Sequence, residues 1–214
     1  MKTIHITIFH DTVCPWCRIG KKNLLTALQE LKIPSENVDI TYQTFFLNRD
    51  IPKEGADYEK YLTEKFDGVS LRNINEYPTK AGKDAGVNFN FDKIKHIPNT
   101  ILSNTLIYLT PANKKLKMVD RLGELYFEQG VDIGNIQVLL DLAKELNVKI
   151  NSDQLTNPAN HDQIIEQDNH GKELGITGVP FYIIDEKYAV FGAQPVSAFK
   201  NVIQRIDSDE EILL

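Results

Sequence analysis

The chain has 214 residues, 42% of them hydrophobic, and 30 acidic against 24 basic side chains give a formal charge of −6. That length and apolar share suffice to bury a core without covalent staples, and the acidic balance, with a pI near 5.4, argues against nucleic acid or anionic lipid as a partner. No stretch approaches the ~18 apolar residues that a membrane-spanning helix requires.

The opening "MKTIHITIFHD" alternates Ile4, Ile6 and Ile8 with polar neighbours and carries one lysine and no small-residue cleavage site. It reads as a strand over 4–10 rather than a signal peptide. That reading places the protein in the cytoplasm, where a disulfide is usually transient and catalytic. From Cys14 the apolar positions change to helical spacing through Ile19, Leu24, Leu25, Leu28 and Leu31, ending before Pro34. "NVDITYQTFFL", residues 37–47, returns to a period of two. Strand, helix and strand at these lengths make one βαβ unit with parallel strands and a right-handed crossover. Its strand-to-helix turn lies at the edge where open α/β sheets bind ligands.

Residues 49–175 are mostly helical by pattern, with breaks at "KEG", "AGVNFNF", "TPAN", "EQGVDIGN" and "LTNPAN". Leu116, Val119, Leu122 and Tyr126 share one helix face, and Ile136, Leu139, Leu140, Ala143 and Leu146 share another. Both stripes are core faces. After "GITGVP" two strands, "FYIID" and "KYAVFG", are joined by a turn at Glu186, and a helix runs from about Pro195 to Ile206. The acidic "DSDEEILL" reads as a frayed tail.

The only two cysteines, Cys14 and Cys17, bracket Pro15 and the only tryptophan, Trp16. Thiol exchange proceeds through a thiolate, and a free thiol near pKa ~8.5 is mostly protonated at neutral pH. At a helix N-terminus the unpaired N–H groups and the positive end of the dipole favour the anion at Cys14. Pro15 suits the first helical position, and Arg18, four residues on, is expected to add positive charge on the same face. Cys17, one turn deeper, can close a disulfide with Cys14 without backbone movement. Cys14 is therefore read as the exposed nucleophile and Cys17 as the resolving thiol. The competing reading is half of a zinc site, completed by His5 and His10, but neither histidine has a metal-type spacing to a further ligand.

Five motifs in this order, "CPWCRIG", "NT" at 99–100, "LGELYFEQGVDIGN", "LGITGVPFYII" and "YAVFGAQP", span nearly the whole chain. Together they resemble the thioredoxin fold and, more narrowly, the DsbA family and its FrnE-like cytoplasmic branch. The resemblance implies an α/β, thioredoxin-like fold with a large all-helical insertion: residues 1–50 and 160–214 form the thioredoxin-like domain and 51–159 the insert. It implies that Pro180 is a cis-proline opposite the nucleophile, leaving the N–H and C=O of Val179 to pair with an extended substrate. Periodicity alone would make Pro180 a trans residue opening an edge strand. The chain departs from the family pattern after "NT", where an Ala-His pair is usual and Ser103-Asn104 stand here. A role for that histidine does not carry over.

Trp16 is a candidate for docking an apolar group of a substrate, with packing against the insert as the alternative. Asn99 is assigned a polar contact over the active site. Asp11 stabilises the turn or relays a proton. His10 is taken as a strand-end residue without chemistry, His161 and His170 as surface residues, and Lys21 and Lys22 as a solvated helix face. The function expected is thiol-disulfide oxidoreduction on protein or small-molecule thiols and disulfides, with no resident cofactor or metal and with glutathione as a possible redox co-substrate. The alternative is a glutathione-dependent isomerase or transferase of the kappa-class or 2-hydroxychromene-2-carboxylate isomerase type, relatives that typically place a serine at position 14 and lack the second thiol. A non-catalytic binding module ranks third.

Overall fold

The computed structural model describes residues 3–207, so the expected frayed tail beyond Asp207 lies outside the described residues. Strand β1 (Ile4–His10) is followed by helix α1 (Pro15–Glu30) and strand β2 (Val38–Thr44). β2 pairs in parallel with β1 from Ile4↔Val38 to His10↔Thr44, the expected βαβ unit. β3 (Ala56–Asp57), α2 (Tyr58–Lys65), α3 (Leu71–Ala85) and β4 (His96–Ile97) come next. Helices α4 (Ile101–Leu109), α5 (Ala112–Phe127), α6 (Ile136–Glu145), α7 (Ser152–Thr156) and α8 (Pro158–Glu173) then lead to β5 (Phe181–Ile184), β6 (Tyr188–Phe191) and α9 (Val196–Asp207).

The main sheet has the order β2-β1-β5-β6, with β5 antiparallel to β1 and β6 antiparallel to β5. The β5–β6 turn passes through Asp185 and Glu186, both at positive φ, as in a type I′ hairpin. β3 and β4 pair antiparallel inside the helical insert. Two residues per strand are too few to print an alternation on the sequence.

Alternation along β1 splits the core into two layers. Ile4, Ile6 and Ile8 pack with Leu24, Ala27 and Leu28 of α1, and this cluster runs on into the insert through Leu106, Met118, Leu122 and Leu139. Phe9 points the other way and packs with Phe45 and Ile176. There α8 comes close enough that a Cβ on Gly171 would lie 3.1 Å from the Phe45 ring and 3.2 Å from Phe9. Asp168, fully buried on α8, accepts the Phe46 N–H at 2.9 Å and Lys172 Nζ at 2.6 Å, fixing the segment after β2. Sheet and insert thus share one continuous core, and α1 lies between them.

Candidate active site

β1 carries the chain to His10, and a turn closed by the Cys14 N–H on the Asp11 carbonyl (3.1 Å) delivers it to α1. Cys14 is the N-cap, in extended conformation at φ −91°, and Pro15 occupies the first helical turn. The Cys14 sulfur accepts the Cys17 N–H at 3.2 Å, in the way a capping oxygen would. Its own thiol donates toward the Val179 carbonyl at 3.5 Å. The Val179–Pro180 peptide is cis, as the resemblance implies. Behind it α1 approaches so closely that a Cβ on Gly20 would lie 2.3 Å from Tyr182 Oη and 3.1 Å from Pro180 Cγ. Cys14, Cys17, Val179 and Pro180 are thus brought together by β1, α1 and the loop before β5.

Exposure departs from the expectation: Cys14 is 3% exposed and Cys17 8%, so neither thiol stands free at the surface. The Val179 backbone and the facing insert cover Cys14, which no helix-terminus argument can foresee. What separates the two thiols is what lies beside each. A cavity of about 30 Å³ behind the pair is lined by His10, Asp11, Cys14, Cys17, Lys21 and Tyr42, among others. Burial, followed by the adjoining Cys14 sulfur, pushes the Cys17 thiol well above the ordinary range. Burial, reinforced by the Lys21 charge, pushes His10 down to about 3, and the His10 ring stands edge-on to Tyr42 with centroids 5.0 Å apart. Asp11 is pushed up by burial, although its carboxylate accepts the Leu47 N–H at 2.9 Å and Asn104 Nδ2 at 3.3 Å. Tyr42 Oη has no partner among the described residues.

Two cations stand elsewhere than expected. Arg18 donates to the Asn88 carbonyl (2.8 Å), pairs with Glu128 and lies 5.8 Å over the Phe89 ring. Its charge is spent pinning α1 to the insert, not on Cys14. Lys21, read as solvated, is 4% exposed and pairs with Asp120 of α5; burial pulls its amine down against that partner. Lys22 alone fits the solvated face.

Asn99 makes no contact over the thiols. Its Nδ2 donates to the Ile51 carbonyl (2.7 Å) and its Oδ1 accepts the Ile101 N–H (3.0 Å), so both polar ends serve the entry to α4. Trp16 is 39% exposed and, with Cys14 and Val179, lines an apolar groove of about 560 Å³ against α2 and α3. Ser103 and Asn104, the departure from the family pair, lie just behind the site. Ser103 Oγ is 2.8 Å from Thr12 Oγ1, and Asn104 reaches Asp11, so α4 grips the turn before Cys14 from both sides. The departure was visible in the sequence, and the fold supplies its meaning. His10 ends β1, as expected, and lines the cavity shared by both thiols. His5 pairs with Asp39 at the far end of β1, and no group of three or more His, Cys, Asp or Glu side chains among the described residues is arranged to hold a metal ion.

The family model for a DSBA-like thioredoxin domain matches residues 5–204. Among solved structures the fold is similar to that of a probable DsbA oxidoreductase from Streptomyces coelicolor, at TM-score 0.80 and 22% identity, covering 99% of this chain and 93% of that one. It is similar to 2-hydroxychromene-2-carboxylate isomerase, at TM-score 0.71 and 14% identity over 97% of this chain and 99% of the other. It is similar also to the cytosolic disulfide reductase DsbM from Pseudomonas aeruginosa, solved with glutathione, at TM-score 0.65 and 15% identity over 95% and 99%.

Proposed function

The chain belongs to the family of DSBA-like thioredoxin domains, and on that premise we propose that it exchanges disulfides through the Cys14-Pro-Trp-Cys17 pair, Cys14 attacking and Cys17 resolving. The observation that carries this reading is the Cys14 sulfur in the N-cap position, bonded by the Cys17 N–H and facing the Val179 carbonyl. Deprotonated Cys14 attacks one sulfur of a disulfide RS–SR, forming Cys14–S–SR and releasing RS⁻, which takes a proton to leave as RSH. Cys17 loses its proton and attacks Cys14 Sγ, so that the second RS⁻ departs and a Cys14–Cys17 disulfide remains. Two electrons pass from protein to substrate, and the reverse sequence oxidises a dithiol. The raised pKa of Cys17 keeps it a thiol until the mixed disulfide lies beside it. The family runs this chemistry on thiols alone, without a resident cofactor.

Within this reading Val179 and Pro180 form the platform opposite Cys14, Trp16 flanks the substrate, and Asn99 has no part. The FrnE-like branch, a cytoplasmic location and glutathione as redox co-substrate belong to the same proposal; likeness to a cytosolic reductase solved with glutathione supports the last two. The division into residues 1–50 with 160–214 and an insert of 51–159 is part of the proposal as well. The second reading, a glutathione-dependent isomerase or transferase, draws on the fold shared with 2-hydroxychromene-2-carboxylate isomerase. It leaves Cys17 without a task. Equilibration in glutathione redox buffers, followed by intact mass, tests the choice: the proposal expects a reversible Cys14–Cys17 disulfide, and a stable glutathione adduct on Cys14 with Cys17 still reduced would favour the isomerase or transferase.

A further inference from the structure

Cys14 is nearly covered, and the space beside it is the groove between the N-terminus of α1 and helices α2 and α3. At about 560 Å³ it is the size of a small-molecule site. Of the seven large apolar side chains exposed among the described residues, four (Trp16, Phe66, Val69 and Tyr77) border this one groove, a clustering that scattered surface apolar residues do not produce. Deeper walls come from Val13, Leu62 and Ile74. Lys65 is the single charged residue in the lining: its Nζ donates to Asn48 Oδ1 and lies 5.6 Å from the Tyr61 ring, and the acidic group that acts on it, the buried Asp11 carboxyl, lies outside the lining. An apolar trough with one cation and no anion complements a molecule that is apolar with one acid group. A thiol that is 3% exposed also selects by size: the disulfide of a folded protein cannot bring its sulfur into line with Cys14, and a slim molecule lying in the groove can.

We propose that the groove is a substrate site for a small apolar thiol bearing one carboxylate, or for the disulfide of two such thiols, with one half in the groove: its sulfur at Cys14, its hydrocarbon against Trp16, Val69 and Tyr77 and its acid at Lys65. This rests on Cys14 as the reacting thiol, and the exchange is the one written above, with the small disulfide as RS–SR. Trp16 is the only tryptophan, so its fluorescence reports the groove without involving the thiols. In titrations of reduced protein, 4-cyclohexylbutyrate is expected to change that fluorescence with a Kd at least tenfold below that of 4-cyclohexylbutylamine, a molecule of like shape and opposite charge. Lys65→Glu, at an exposed position that folding tolerates, should reverse the preference. In single-turnover oxidation of reduced protein, the rate with 4,4′-dithiodibenzoate relative to cystamine should fall at least tenfold in Lys65→Glu. Equal binding of acid and amine, no Trp16 response, or a rate ratio unmoved by Lys65→Glu overturns the site. An unfolded peptide disulfide that reacts tenfold faster than dithiodibenzoate makes the occupant a protein chain and overturns the small-molecule assignment. Should the carboxylate bind through Lys65 while no disulfide oxidises the protein, the groove stands and the oxidoreductase reading fails.

Discussion

The two thiols share one helix turn and differ in what they face. On the Cys14 side the neighbours are a peptide carbonyl and an apolar groove with one cation at its rim. Behind both thiols a cavity of about 30 Å³ is lined by His10, Asp11, Lys21 and Tyr42, four polar groups held almost out of contact with water, and Cys17, unlike Cys14, faces this cavity without lining the groove. Neither exposure nor sequence spacing distinguishes the cysteines; environment does. In the proposed mechanism, a backbone cap and an entry path make Cys14 the attacking group, and desolvation makes Cys17 a reserve thiol that reacts only when a mixed disulfide is placed beside it.

The sharpest way to break that contrast is to delete Cys14. Cys14→Ser should reduce exchange with any disulfide to background and leave a Cys17 that iodoacetamide labels in urea and not in the native state; native labelling of Cys17 would put the two thiols on equal terms. A smaller effect, about 1–3 kcal/mol of stability, is expected from Gly20→Ala, because the new Cβ would lie 2.3 Å from Tyr182 Oη and 3.2 Å from the Ala193 Cα. Urea midpoints measure it, and the same change should slow exchange by shifting the Val179–Pro180 loop from Cys14.

The polar side of the contrast predicts a pH dependence. His10 titrates near 6.5 in the unfolded chain and at about 3 in the fold, so between those values the unfolded state holds the extra proton. Stability conferred by the neutral buried ring is present above about 6.5 and is lost as pH falls toward 3. From pH 7 to pH 5 the loss due to this group is about 2 kcal/mol, and denaturant unfolding of His10→Gln should show it removed. Smallest is Tyr42→Phe: the hydroxyl it deletes has no partner, so stability should change by less than about 0.5 kcal/mol or rise. A loss of 2 kcal/mol or more would mean that the hydroxyl is bonded in the cavity.

Local pattern made most of the framework legible. The expected strand over 4–10 matches Ile4–His10, and the expected helices near both ends fall within two residues of α1 and α9, because periods of two and 3.6 are written in adjacent residues. The close cysteine pair and its helix N-terminus were readable for the same reason. What failed depended on residues a hundred positions away. Helical spacing placed Arg18 and Lys21 near the cysteines' face, but only the fold sets Glu128 and Asp120 opposite them. Likewise the cover over Cys14 comes from Val179, 165 residues on, and no pattern around "CPWC" announces it. Asn99 misled because a polar residue beside a helix start is equally suited to bonding the local backbone, which is the work it does.

The central claim is that Cys14 attacks and Cys17 resolves, and Cys17→Ala tests it most directly. Without the resolving thiol, a small disulfide such as 4,4′-dithiodibenzoate should be attacked once and held, so intact mass under non-reducing conditions should show a mixed disulfide on Cys14, released by dithiothreitol, and multiple turnover should cease. A Cys17→Ala protein that turns over at the normal rate with no trapped adduct would contradict the account.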